Sequence, residues 1–476
     1  MSSNCRQVFA LATLAAASCV LGITSQAHAQ EQLWIRQFGT TGNDEAFALA
    51  ADGAGGVMVA GRTEGNLGGL NLTPGTTDVF LARYDNAGDQ LWILQFGTDY
   101  QDEALALSPD GAGGVMVAGR TVGGLGGPRM GGWDAFLARY DGAGNQQWIR
   151  QFGSTSSDFV SALAPDGAGG VIVAGETTGN LGGRNAGLED AFLARYTGAG
   201  RQLWIRQFGT STRDEASAIA PDGAGGVMVA GFTRGSLTGE PFRGGFSDAF
   251  LASYDGAGNQ RWIRQFGTSA DDVVNALAPD GNAGVFVGGW MGGNPNGPFG
   301  GGTGDVFLAR YDGAGNRLWM TKVGTSRSQG LRALAADGAG GVIIVGSASG
   351  SLRPILLGRY DGAGNLLWIR QFGTSTSDLA PALARDGTGG VMVAGWTAGN
   401  LGGRNSGEND AFIAQFTEEP CYADCDQSGV LDIFDFLCFQ NSFVSAESYA
   451  CDCDPDPVCD MADFLCFQNA FMGGCP

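Results

Sequence analysis

The chain has 476 residues, of which 83 are glycine, 43% are hydrophobic and only 16% are charged, with a net charge of −21. That acidity repels phosphate backbones and excludes nucleic acid as a partner. The single histidine, His28, precedes every repeated segment described below, which excludes Ser-His-Asp and Cys-His catalysis and histidine-ligated metals downstream of it, and the absence of cysteine between Cys19 and Cys421 excludes thiol chemistry in between.

In chain order, Arg6, the apolar stretch Val8 to Ile23 and the small-x-small site Ala27-His28-Ala29 predict a secretory signal peptide over residues 1–29, cut after Ala29. A lipoprotein reading at Cys19 is the lesser alternative, because Ala16-Ala17-Ser18 makes a weak lipobox. No later stretch reaches the ~18 apolar residues of a membrane span. The expectation is an exported protein, secreted or at the cell surface.

Residues 30–418 repeat. A phrase close to Leu-Trp-Ile-Arg-Gln-Phe-Gly-Thr recurs with its tryptophan at Trp34, Trp92, Trp148, Trp204, Trp262, Trp319 and Trp368, at spacings of 58, 56, 56, 58, 57 and 49 residues. Each copy divides into four strand-like runs; in the second these are Leu91 to Phe96, Glu103 to Leu107, Val115 to Ala118 and Ala135 to Tyr140. The runs are bounded by turns such as Asp110-Gly111-Ala112-Gly113-Gly114 and Asp141-Gly142-Ala143-Gly144-Asn145, which are hairpin signals. Four short strands per copy without intervening helix, and no distinct end caps, predict an all-β fold: a seven-bladed β-propeller of four-stranded blades. Runs such as Val57 to Ala60 do not alternate with polar residues, as expected of sheets packed on both faces. The first strand one (Gln32 to Phe38) and the last strand four (Asp410 to Phe416) each lack a neighbour in sequence, and pairing them closes the ring. The Trp-Ile-Arg-Gln-Phe-Gly, Asp-Gly-Ala-Gly-Gly-Val and Asp-Ala-Phe-Leu-Ala-Arg-Tyr phrases resemble the bacterial β-propeller repeats called SBBP repeats. That resemblance implies the fold and names no activity.

Strand direction places the one–two and three–four loops on one face, and all length variation falls in the three–four loops, which carry Trp133, Phe242, Arg243, Phe246, Trp290 and Phe299. Variable loops on a rigid scaffold are where a carbohydrate or protein ligand would bind; glycine-rich filler with aromatics covering blade seams is the competing reading. The acidic pairs Asp44-Glu45, Asp102-Glu103, Asp214-Glu215 and Asp271-Asp272 recur in the one–two loops. A carboxylate repeated around a ring does the same structural work in each blade, whereas a catalytic pair breaks the symmetry, and no such break is legible. The repeated arginines at 36, 150, 206, 264 and 370 read as blade-edge partners, and Asp-Gly-Ala-Gly-Gly joins two strands, which removes a phosphate-loop reading.

Residues 419–476 change character, with eight cysteines and two phrases, Asp435-Phe436-Leu437-Cys438-Phe439-Gln440-Asn441 and Asp463-Phe464-Leu465-Cys466-Phe467-Gln468-Asn469. Ahead of the first, Asp424, Asp426, Ser428, Asp432 and Asp435 stand at positions 1, 3, 5, 9 and 12 of an EF-hand loop, with Gly429 at 6 and the Val430 carbonyl at 7. The second copy repeats this with Asp452, Asp454, Asp456, Val458, Asp460 and Asp463, though Pro457 replaces the glycine. The donors are all oxygen, as calcium requires, and two calcium sites are expected, the second weakened by Pro457. Two half EF-hands, each leading into a helix, and the closing Gly474-Cys475 resemble a dockerin-like module of the Gly-Cys-ending type. That resemblance implies a small α module that folds on calcium and attaches its protein to a cohesin-like or other surface partner. Eight cysteines in an exported chain favour disulfides over zinc, each contributing ~2–4 kcal/mol, with the pairing open.

These readings together predict an exported, non-enzymatic binding or display propeller anchored by its tail. A polysaccharide-active hydrolase or lyase using loop carboxylates, and a purely structural surface protein, are the alternatives.

Overall fold

The computed structural model describes residues 32–417, apart from loop positions 70, 72, 74, 238, 240, 294–304, 324–329, 348–353 and 388–389. The chain forms seven four-stranded antiparallel sheets arranged as propeller blades. Blade 1 runs from an inner strand, Asp44–Ala51, through inner-middle Val57–Thr63 and outer-middle Asp78–Tyr84 to a rim strand, Gln90–Phe96. Blades 2 to 6 repeat the order, beginning at inner strands Asp102–Pro109, Asp158–Pro165, Asp214–Pro221, Asp272–Pro279 and Gly330–Ala336. Blade 7 has Asp378–Arg385, Gly390–Thr397 and Asp410–Thr417, and takes its rim strand from the start of the ring, Gln32–Phe38. Trp34 pairs with Gln415 and Phe38 with Ala411, so the ring closes as the phase of the repeats predicted. The second copy's strands extend one to three residues past the expected runs, to Gln90–Phe96, Asp102–Pro109, Val115–Thr121 and Asp134–Tyr140.

Inner strands of neighbouring blades pack on one another around the axis. Between blades, alternate residues of one strand serve two different cores. Met58 and Ala60 pack towards blade 2 with Val115, Val117 and Phe136, whereas Val57 and Val59 pack towards blade 7 with Met392 and Ile413. This is why the runs show no polar alternation: both faces are buried, each side chain contributing roughly 1.5–3 kcal/mol.

The repeated phrases are fasteners between blades. Trp92 and Trp148 donate their Nε1–H to the carbonyls of Gly142 and Gly198, in the next blade's outer turn, at 3.1 and 2.9 Å. Arg83 binds Asp52 in its own blade (2.7 Å) and the Gly142 carbonyl in the next (2.7 Å). Asp52 is the turn aspartate of Asp-Gly-Ala-Gly-Gly and also accepts from the Ala54 and Gly56 amides. Burial pushes its carboxyl up, but these amides and Arg83 outweigh it and hold it below the usual carboxylate range. Of the recurring rim arginines, Arg36 and Arg206 join blades, donating to turn carbonyls of the next blade, Gly88 and Gly258, whereas Arg150 and Arg264 lie over the rings of Trp148 and Trp262 in their own strands. Gln95 ties the long loop to the rim, donating to Asp78 (2.8 Å) and accepting from the Leu67 amide (2.8 Å).

Candidate functional site

The Asp-Gly turns and the outer turns occupy one face of the ring. The opposite face carries the inter-blade loops and the long variable loops, and the central channel opens onto it between the tops of the inner strands.

Every inner strand is interrupted once by a β-bulge, where one or two residues are left without a cross-strand partner. The glycine opposite makes this approach possible: a Cβ on Gly61 would lie 1.8 Å from the Glu45 carbonyl oxygen. In blade order the bulge residues include Phe47, Leu105, Ser161, Ser217, Asn275, Arg332 and Pro381. Four of them, Phe47, Leu105, Ser161 and Pro381, wall a cavity of about 440 Å³ in the channel, with Phe159, Val160, Arg120 and Glu176. No other strand position changes chemistry so completely around the ring.

One step nearer the mouth, a residue at the start of each inner strand faces the penultimate or last residue of its inner-middle neighbour. These pairs are Glu45/Arg62, Glu103/Arg120, Phe159/Glu176, Glu215/Phe232, Val273/Trp290, Gly330/Ser347 and Leu379/Trp396. The mouth therefore has a charged arc over blades 1 to 4 and apolar, aromatic positions in blades 4, 5 and 7, with the small pair Gly330/Ser347 between them in blade 6. Arg62 bridges Glu45 (2.8 Å) and Glu103 (2.7 Å), and Arg120 also holds Glu103 at 2.7 Å. Arg213 holds Glu176 at 3.2 Å and Glu215 at 3.1 Å. Burial, reinforced by repulsion from Glu215, raises the Glu176 carboxyl to about 7 against the opposing pull of Arg213. On the apolar side, Trp396 meets Phe47 edge to face at 5.7 Å.

The structure corrects two expectations. Of the acidic pairs only Asp271 lies in a loop, where it accepts from the Phe246 amide; the other members belong to strands, and the pairs do not act as units. Asp44, Asp102, Asp214 and Asp272 open the inner strands and are wholly buried, accepting bonds from the preceding Thr40, Thr98, Thr210 and Thr268 amides. Burial raises all four carboxyls. Their glutamate neighbours Glu45, Glu103 and Glu215 turn to the mouth instead. The ring's symmetry is also broken, at the bulge and mouth positions, where the sequence showed no break. Glu176 went unnoticed for that reason, although it occupies the one slot of Val-x-Val-Ala-Gly-x-Thr that holds arginine at Arg62 and Arg120.

Of the loop residues, Trp290 belongs to a strand, Val285–Met291, at the mouth; Trp133 is half-buried with Arg120 4.6 Å over its ring. Phe242 is half-buried and Arg243 exposed, and Phe246 is 75% exposed. Leu188, at 65%, and Tyr100, at 52%, are exposed on loops of the same face. Phe299, the expected signal peptide and all twelve positions of the expected calcium loops (Asp424, Asp426, Ser428, Val430, Asp432, Asp435, Asp452, Asp454, Asp456, Val458, Asp460 and Asp463) lie outside the described residues. Among the described residues, no cluster of His, Cys, Asp and Glu is arranged to hold a metal.

No protein-family profile matches the chain. It is 33% identical over 162 residues to regulatory protein FlaEY of Caulobacter vibrioides, an overlap of 31% of this chain and 17% of FlaEY. It is 26% identical over 167 residues to an uncharacterized WD repeat-containing protein of Acanthamoeba polyphaga mimivirus, covering 29% of this chain and 12% of that one. The chain thus spans less than a fifth of either relative's length. Among solved structures, the Pan2 WD40 domain of Neurospora crassa is similar over 83% of this chain and 99% of its own, at 12% identity and TM-score 0.47. Puromycin hydrolase is similar over 75% of this chain and 50% of its own, at 15% identity and TM-score 0.43.

Proposed function

We propose that this chain is an exported binding propeller that seats a protein or carbohydrate ligand on its variable-loop face, centred on the channel mouth, and is anchored through a calcium-binding, dockerin-like tail. One observation carries the binding half: residues that hold blades together repeat from blade to blade, while those lining the mouth vary around the ring, with six residue types at the seven bulge positions. Selection for folding alone gives seven equivalent positions no reason to diverge into phenylalanine, leucine, serine, asparagine, arginine and proline. A ligand without sevenfold symmetry does. Trp290, Trp396 and Phe47 supply aromatic anchors beside the charged arc, the composition of an interaction hot spot.

Export rests on the leader at residues 1–29, and anchoring on the two in-phase oxygen ladders at Asp424–Asp435 and Asp452–Asp463, whose donor chemistry suits a hard cation. The tests are separable. Full-length protein on peptide and glycan arrays, beside Trp396→Ala, reports on the mouth; ligands retained by Trp396→Ala, or no specific ligand at all, refute that half and favour a purely structural protein. Calorimetric calcium titration of the full chain, beside Asp424→Ala and Asp452→Ala, reports on the tail, with loss of one site expected in each variant.

A second reading is a polysaccharide hydrolase, favoured by one feature: Glu176 and Glu215 share a single arginine nitrogen at the channel, with the Glu176 proton held to about pH 7. Reducing-sugar release from a polysaccharide panel, lost in both Glu176→Gln and Glu215→Gln, would establish it.

A further inference from the structure

The two charged groups at the mouth are not equivalent. Glu45, Arg62, Glu103 and Arg120 alternate, two of each sign, and Arg120 grips Glu103 through Nε at 2.8 Å and Nη2 at 2.7 Å. In blade 3 the pattern inverts. Glu176 stands where Arg62 and Arg120 stand in the preceding blades, and Phe159 stands where they have Glu45 and Glu103.

Two carboxylates, Glu176 and Glu215, are then bridged by Arg213 through one nitrogen, Nη2, at 3.1–3.2 Å. Arg213 Nε is buried and finds no acceptor. This second group carries two negative charges against one positive. Glu176 also lines the cavity, whose other walls are the apolar Phe47, Leu105, Phe159, Val160 and Pro381 with Ser161 and the Glu103-bound Arg120. A mainly apolar slot with an under-neutralised carboxylate in its wall complements a cation on an apolar stem.

The other charges facing this point do not cancel it. Arg120 is committed to Glu103 and lies over the rings of Trp133 and Phe159, 4.6 and 5.5 Å from their centroids. Arg62 is committed to Glu45 and Glu103, and Glu189, whose repulsion also acts on Glu176, adds to the negative side. Arg332, the bulge residue of blade 6, is not part of the cavity wall.

We propose that the mouth takes a single lysine or arginine side chain of a partner protein, its stem against Phe47, Leu105 and Phe159 and its charge on Glu176 and Glu215. Exposed Tyr100, Leu188 and Phe246 provide apolar footing on the same face. The proposal rests on the mouth being the ligand site and adds the chemistry of what enters it.

The test uses the full chain and three blocked tripeptides, acetyl-Gly-Lys-Gly-amide and its Gln and Glu counterparts, in saturation-transfer NMR titrations at pH 8. The lysine peptide is expected to bind at least tenfold more tightly than the other two. Glu176→Gln, and independently Glu215→Gln, should abolish that preference. Lowering the pH from 8 to 6 should weaken lysine-peptide binding in the wild type, as Glu176 takes up its proton, but not in Glu176→Gln. Equal binding of all three peptides, with loss of all three in Phe47→Ser, overturns the basic side chain and leaves the mouth as a site. A lysine preference that survives both glutamine variants overturns the assignment to Glu176 and Glu215. No binding of any peptide overturns the proposal and the mouth together.

Discussion

The split of the acidic pairs into a buried aspartate and a mouth-facing glutamate gives a direct test at Asp214 and Glu215. Asp214 is wholly buried and accepts from the Thr210 amide at 2.5 Å, from the Thr210 hydroxyl at 2.9 Å and from the Thr233 hydroxyl. Asp214→Ala removes three hydrogen bonds at the seam between blades, at roughly 1–1.5 kcal/mol each, and leaves the Thr210 and Thr233 hydroxyls only their weaker contacts with Thr212 and the Gly235 carbonyl. Relief of the buried carboxylate, whose proton affinity burial has raised, offsets part of that. The expected net loss is about 3 kcal/mol. Glu215 keeps 22% of its side chain exposed, and its contact with Arg213 is shared with Glu176, so Glu215→Ala should cost under about 1 kcal/mol. Urea unfolding of the full chain, followed by tryptophan fluorescence, measures both. The reasoning fails if Asp214→Ala lies within about 1 kcal/mol of wild type, or if Glu215→Ala matches it.

Three further outcomes follow from the same geometry. Burial, with repulsion from Asp248 adding to it, raises Asp272 to about 6; the folded chain therefore holds a proton that the unfolded chain releases near 3.8, and stability falls as pH rises from about 4 through 6. Asp272→Asn should flatten that segment of the urea midpoint against pH, and an unchanged slope would sink the assignment. Gly200 has φ of +75° and a Cβ there would lie 2.8 Å from Trp148, whereas Gly167, at +72°, has open space. Gly167→Ala should therefore show only the left-handed backbone cost of about 1–2 kcal/mol, and Gly200→Ala more; equal losses would mean that the Trp148 contact is soft. Removing Gln32–Phe38 strips blade 7 of its rim strand and uncovers the edge of Asp410–Thr417, so light scattering should report self-association. A monomer with an unchanged urea midpoint would show that closure is dispensable.

Much of the molecule was legible without coordinates because repetition magnifies weak signals. One strand of seven apolar residues is ambiguous, but seven copies in phase are not, and the unpaired runs at Gln32 and Asp410 announced ring closure. Strand ends were harder, since Gly119-Arg120-Thr121 has little intrinsic strand preference and continues the strand only because the glycine lies against the bulge. By itself, then, the sequence determined blade count, strand order, closure and the location of the variable face, all of which depend on local periodicity and the need to bury two faces of every sheet. The tertiary structure decided what sits together. Glu176 and Glu215 are far apart in the chain, in different blades, and look alike to any composition-based argument. Only the ring brings them to one arginine, and only the bulge turns Phe47, Leu105 and Ser161 out of their sheets into the channel, because a side chain's direction is set by the pairing register of its neighbours and not by its own identity.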